Sequence, residues 1–115
     1  MKRGEVVLVD FPYTDGSASK VRPALVVQND RDNARLRDIV VALITGNTSR
    51  SHEPTQHLVD PNMPEGASSG LHGASSVLCR HLYTVRLSLV IRTIGYLPAV
   101  EMKAIDQCLK AALGL

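Results

Sequence analysis

The chain has 115 residues, 44% of them hydrophobic, which is enough for one core and too short for a second. Thirteen Lys and Arg against eleven Asp and Glu leave a formal net charge of +2, so no broad basic field announces a nucleic-acid binder and any anionic partner must be met by local positive charge. Cys79 and Cys108 make neither a CxxC pair nor a metal-ligand spacing, no signal peptide opens the chain, and no apolar run approaches the ~18 residues of a membrane span.

These limits predict one soluble, cytoplasmic domain over residues 1–115, with both thiols acting as small buried hydrophobes. There is no Trp and a single Phe, so the core is built from Val, Leu, Ile and Ala.

Glu5 to Asp10 reads as the first strand, bounded by Gly4 and by Phe11-Pro12. Pro12 to Lys20 holds an Asp15-Gly16 turn signal and is longer than a hairpin needs. It is either a mobile flap beside Arg22 or a long connection.

Arg22-Pro23-Ala24-Leu25-Val26-Val27 sets a cation and a proline before an apolar, β-branched run, so a strand is expected from Ala24 to Gln28. Proline donates no backbone N–H and belongs at a strand's first residue or on an edge. It also holds the residue before it extended. Arg22 is then a guanidinium fixed at the mouth of a strand, where it either binds a phosphate or solvates the strand end.

Asn29 to Arg37 is dense in charge and amides and reads as a turn or one helical turn at the surface. Its Arg31, Arg35 and Arg37 form a solvated face or touch an RNA backbone. Asp38 to Thr45 is the longest apolar run and reads as a central strand buried on both faces. It ends in Thr45-Gly46-Asn47-Thr48-Ser49-Arg50, where the threonine either caps a turn or aims its hydroxyl at an anion.

Ser51 to Ser76 is mainly loop, with one short strand around His57 to Asp60. Ser76 to Leu82 and Val90 to Leu97 are the last strands, the second stopped by Pro98. Ala99 to Leu113 carries apolar residues at helical spacing, with Gly114 as its C-cap. The order predicts a mainly β fold, a small antiparallel curled sheet or open barrel, with the C-terminal helix packed on one face.

Several of these segments together resemble the PemK/MazF toxins of type II toxin–antitoxin systems. The matching residues are Arg3-Gly4-Glu5-Val6-Val7-Leu8-Val9-Asp10-Phe11, Lys20-Val21-Arg22-Pro23-Ala24-Leu25-Val26-Val27, Ile44-Thr45, Ser69-Gly70-Leu71 and Ser75-Ser76-Val77. The resemblance implies a small SH3-like barrel of the CcdB/PemK type, a homodimer, and a cognate antitoxin as partner. It also implies an endoribonuclease that cuts single-stranded RNA without a metal or other cofactor.

Such cleavage uses the RNA's own 2′-OH as nucleophile on the adjacent phosphate, so the protein must supply donors to the developing charge and manage two proton transfers. Arg22 is expected to clamp the phosphate, with an acid role possible, and Thr45 to be its partner. Lys20, Asn47, Arg50 and Arg80 are the expected RNA contacts.

The chain departs from part of the family. Where PemK-like members carry Arg-Cys-Asp after the Ser-Val signature, it has Leu78-Cys79-Arg80, and its flap holds no histidine. Of His52, His57, His72 and His81, His81 is nearest the missing carboxylate and is the candidate acid or base.

Two other readings remain. A CcdB-like gyrase poison would end in Trp-Gly-Ile, whereas this chain ends in Leu113-Gly114-Leu115 and has no Trp. A catalytically weakened RNA- or protein-binding barrel is suggested by Leu78 and Arg80.

Overall fold

The computed structural model describes residues 1–12 and 20–115. The segment read as a flap thus falls almost wholly outside the described residues. Six strands form one antiparallel sheet in the order β4-β5-β3-β2-β1-β6. They are β1 (Glu5–Phe11), β2 (Lys20–Val26), β3 (Asp38–Thr45), β4 (Gln56–Val59), β5 (Ser75–Arg86) and β6 (Val90–Tyr96). Among the described residues two α-helices, α1 (Asp30–Arg35) and α2 (Ala99–Leu113), accompany the sheet. The sheet and its C-terminal helix agree with the fold read from the sequence; the sheet is open, with β4 and β6 as its edges.

Alternation along the strands sorts the core into two clusters. Val6, Leu25, Ala42, Ile44, Val77 and Cys79 point to one face and meet Met102, Ile105 and Cys108 of α2. Val7, Val9, Phe11, Ala24, Val26, Ile39, Val41 and Val85 point to the other. β1, β2 and β3 are therefore buried on both faces, which is why they read as nearly continuous apolar runs.

α2 matches its expected span, and Gly114 ends it at φ 72°, with its N–H donating to the Lys110 carbonyl. α1 starts where Asn29 accepts a hydrogen bond from the Asp32 N–H at 2.9 Å. The N-terminal arm is pinned by Arg3, whose N–H donates to Asp30 (2.6 Å) and whose guanidinium reaches the Val27 carbonyl (2.8 Å) and Asp106 (2.7 Å). That N–H, and then the Asn33 amide, hold the Asp30 carboxyl below its ordinary range.

The loop before β5 packs backbone to backbone on β6. Ser68 accepts from the Tyr96 N–H at 2.9 Å, and a Cβ at Gly95 would lie 2.3 Å from the Ser68 oxygen.

Several boundaries differ from the sequence reading. β2 begins at Lys20 and ends at Val26, so Pro23 lies inside a central strand instead of opening it. Hydrogen-bond parity explains the tolerance. Val27 donates to the Val40 carbonyl, so odd-numbered residues of β2 aim their backbone groups at β3, while the Val26 carbonyl accepts from Gly4 on the β1 side. Pro23 lacks its N–H on the β3 side alone, and there the ladder stops at Ala24↔Leu43.

β5 runs on past Leu82 to Arg86, because Cys79, Arg80 and His81 form a bulge between the pairs Leu43↔Leu78 and Ala42↔Leu82. Their polar character hides the strand's continuation. β6 ends at Tyr96, leaving Leu97 to bond back to the Gly4 carbonyl.

Candidate active site

The face away from α2 ends in a cavity of about 630 Å³ whose lining includes Phe11, Arg22, Leu43, Thr45, Leu78, Tyr83, Val85 and Leu89. Strand chemistry puts Arg22 and Thr45 there together. Every β2–β3 pair sums to the same register, so continuing it past Ala24↔Leu43 sets Arg22 opposite Thr45. Pro23 ends the ladder at that point, and the two strand ends flank the cavity.

Arg22 is half-buried and fixed on its other side by pairing with Val9. Thr45 is half-buried, and its Oγ1 accepts the Asn47 N–H at 3.2 Å. That bond uses an oxygen lone pair and leaves the hydroxyl proton to donate. Lys20 pairs with Phe11 and shares the face of Arg22, about 7 Å along the strand. The site is thus a floor of aliphatic side chains with the Arg22 cation and the Thr45 hydroxyl on its wall, and Lys20 lies on the same strand face outside the lining.

The other expected contacts are dispersed. Asn47 accepts the Ser49 N–H through Oδ1, which ties its carbonyl into the loop. Arg50 is exposed and approaches Glu53 at 3.7 Å. Arg80 and His81 are exposed in the β5 bulge and do not line the cavity. Arg35 pairs with Asp32 at 2.6 Å, and Arg37 lines a separate recess with Arg86.

Among the described residues no histidine lines the cavity. His52 is exposed, and His72 lines a groove with Arg92 on the opposite side of Pro23 and Gly46. His57 is held to Glu101 of α2 at 2.9 Å. The His81 expectation thus lacks proximity to Arg22, because the bulge turns that residue outward.

Leu78 does line the cavity, so the departure from the family pattern falls on the site wall. Also among the described residues, no group of three His, Cys, Asp or Glu side chains is placed to hold a metal ion. Among the described residues no helix is long and apolar enough to cross a membrane.

Two residues of this site escape the sequence reading. Tyr83 shares the cavity with Arg22, and its ring meets Phe11 with centroids 5.2 Å apart and planes inclined at 60°. The alternation Tyr83, Val85 would have exposed it had β5 been followed beyond Leu82. Arg86 reaches the rim, although strand parity sends its side chain to the face of Leu82 rather than that of Val85.

Residues 2–113 match the family model for the PemK-like, MazF-like toxin of type II toxin–antitoxin system. An Endoribonuclease MazF from Staphylococcus saprophyticus is 28% identical over 116 aligned positions, covering 100% of this chain and 92% of that protein. An endoribonuclease from a mycobacterial species, solved in complex with its cognate antitoxin, superposes with a TM-score of 0.78 at 25% identity, over 100% of this chain and 96% of that one. The Mycobacterium tuberculosis toxin MazF-mt6 superposes with a TM-score of 0.76 at 26% identity, over 96% and 97%.

Proposed function

The chain belongs to the PemK-like, MazF-like toxins of type II toxin–antitoxin systems, and we infer that it is an endoribonuclease toxin that cuts single-stranded RNA. The observation that carries this reading is the meeting of Arg22 and Thr45 where the β2–β3 ladder ends, in a cavity walled by rigid strands. Relatives named as endoribonucleases, one of them held by a cognate antitoxin, support it.

The chemistry follows from the donors. A 2′-oxygen attacks the neighbouring phosphorus, the 5′-oxygen leaves, and a cyclic phosphate forms. Negative charge grows on the non-bridging oxygens as this happens. Arg22 offers two parallel N–H groups to them, and Thr45 adds its hydroxyl proton. The guanidinium stays protonated, so Arg22 is an electrostatic clamp and neither acid nor base; water takes the 2′-OH proton and supplies one to the leaving 5′-oxygen. Lys20 supplies a second cation for the adjoining phosphate. Because the nucleophile belongs to the substrate, the reaction asks no metal of the protein. In the cell the toxin works as a homodimer and is silenced by its own antitoxin.

The test is incubation of the purified protein with a long unpaired RNA in EDTA, followed by analysis of the fragment ends. Cyclic-phosphate ends that vanish in both Arg22→Ala and Thr45→Ala support the reading. Retention of wild-type cleavage by both variants removes the assigned site. RNA binding without any cutting would make the chain a binding barrel, the outcome that Leu78 on the wall favours.

A further inference from the structure

We propose that Tyr83, backed by Phe11, is a platform on which one unpaired base of the substrate stacks, close to the phosphate clamped by Arg22 and Thr45; this deepens the endoribonuclease reading and rests on it. The chain has only one Phe, three Tyr and no Trp, and two of those four rings meet in this cavity. Their roles differ by exposure. Phe11 is 7% exposed and serves as fixed backing, whereas Tyr83 is 44% exposed and presents ring surface that a ligand can reach.

Strand register explains why the pair forms. Tyr83 lies opposite Val41 on β3, four residues before Thr45, with its side chain on the Thr45 face. The separation is about 13 Å along the strand. A base stacked on Tyr83 therefore belongs to a nucleotide near the cut, and Arg22 in the same cavity takes a phosphate.

An aromatic face sharing a cavity with a guanidinium is the combination that binds single strands, because every base has a π-face and the backbone carries the charge. A base in a duplex has both faces occupied and cannot use it. Tyr83 accordingly enforces an unpaired nucleotide without selecting which base it is.

The experiment uses the full chain and an oligoribonucleotide with a single cut, made as a series in which one base at a time is removed to leave an abasic sugar. In the wild type, removal at one position near the cut should weaken the substrate about tenfold to a hundredfold, in KM more than in kcat. Tyr83→Leu should impose a loss of similar size on the intact RNA, and removal of that same base should then add nothing. Tyr83→Phe keeps the ring and should restore wild-type behaviour, which separates stacking from any role of the hydroxyl.

If Tyr83→Leu matches the wild type, or still responds to the abasic series as the wild type does, the platform is refuted while the nuclease stands. If Tyr83→Leu changes sedimentation and leaves cleavage untouched, the pair belongs to an interface between copies and the proposal falls. A wild type that cuts no RNA overturns the nuclease reading and the platform with it.

Discussion

The two faces of the sheet are made by the same strands and differ in what covers them. On the α2 side, polar groups at the edge of the core are partnered. His57 meets Glu101, and Cys108 Sγ donates to the Gln56 carbonyl. On the other side the apolar cluster leads into a cavity, and a cation, a hydroxyl and a phenol line it. Adjacent residues of one strand thus serve opposite ends. Leu25 fills the helix side and is fully buried, whereas Arg22 and Ala24 face the cavity cluster. Period-2 geometry lets a short strand carry stability on one face and chemistry on the other.

Substitutions can break this division. Arg22→Ala should lower cleavage about a hundredfold to a thousandfold, the scale of losing one preorganised donor to a developing oxyanion, with thermal melting little changed. Its counterpart, Leu25→Ala, should lose about 2–5 kcal/mol of unfolding free energy in urea while the folded fraction keeps its specific activity. Large activity losses from both, or stability losses from both, would erase the distinction.

Thr45→Val keeps the shape and removes the hydroxyl, both the donor to substrate and the acceptor of the Asn47 N–H, so a tenfold to hundredfold drop in cleavage is expected, roughly one charge-assisted hydrogen bond. His57→Leu strands the largely buried Glu101 carboxylate, and urea denaturation should report a loss of about 1.5–3 kcal/mol with cleavage per folded molecule preserved.

A further effect concerns pH. Burial, and then the neighbouring Cys108, push the Cys79 thiol from its ordinary 9.0 up to about 12. The folded state therefore favours the neutral thiol, so its stability is intact below pH 9 and falls as pH rises toward 12. The slope is at most about 1.4 kcal/mol per pH unit. Cys79→Val should flatten this alkaline decline relative to the wild type in melting experiments between pH 8 and pH 11.

Periodicity made much of the fold readable. β3 and α2 match their expected bounds because an uninterrupted apolar run and a helical stripe with a glycine stop are local signals. Pro23 and the β5 bulge were not readable, because each depends on which neighbour a backbone group faces, and that is set by pairing between distant segments.

The same contrast runs through the site. Arg22 and Thr45 stand out because a cation and a hydroxyl border apolar runs in the sequence. Phe11 and Tyr83 look like ordinary core or surface aromatics until the sheet brings β1 and β5 to one cavity. His81 was chosen by its distance along the chain, and the bulge turned it outward.

Pro23 has a corollary. Any ordinary residue there would regain the missing donor and let β2 and β3 zip onward past Arg22 and Thr45. Such a variant should be hardier toward heat and poorer as a poison, the gap in the weave being a condition of the chemistry.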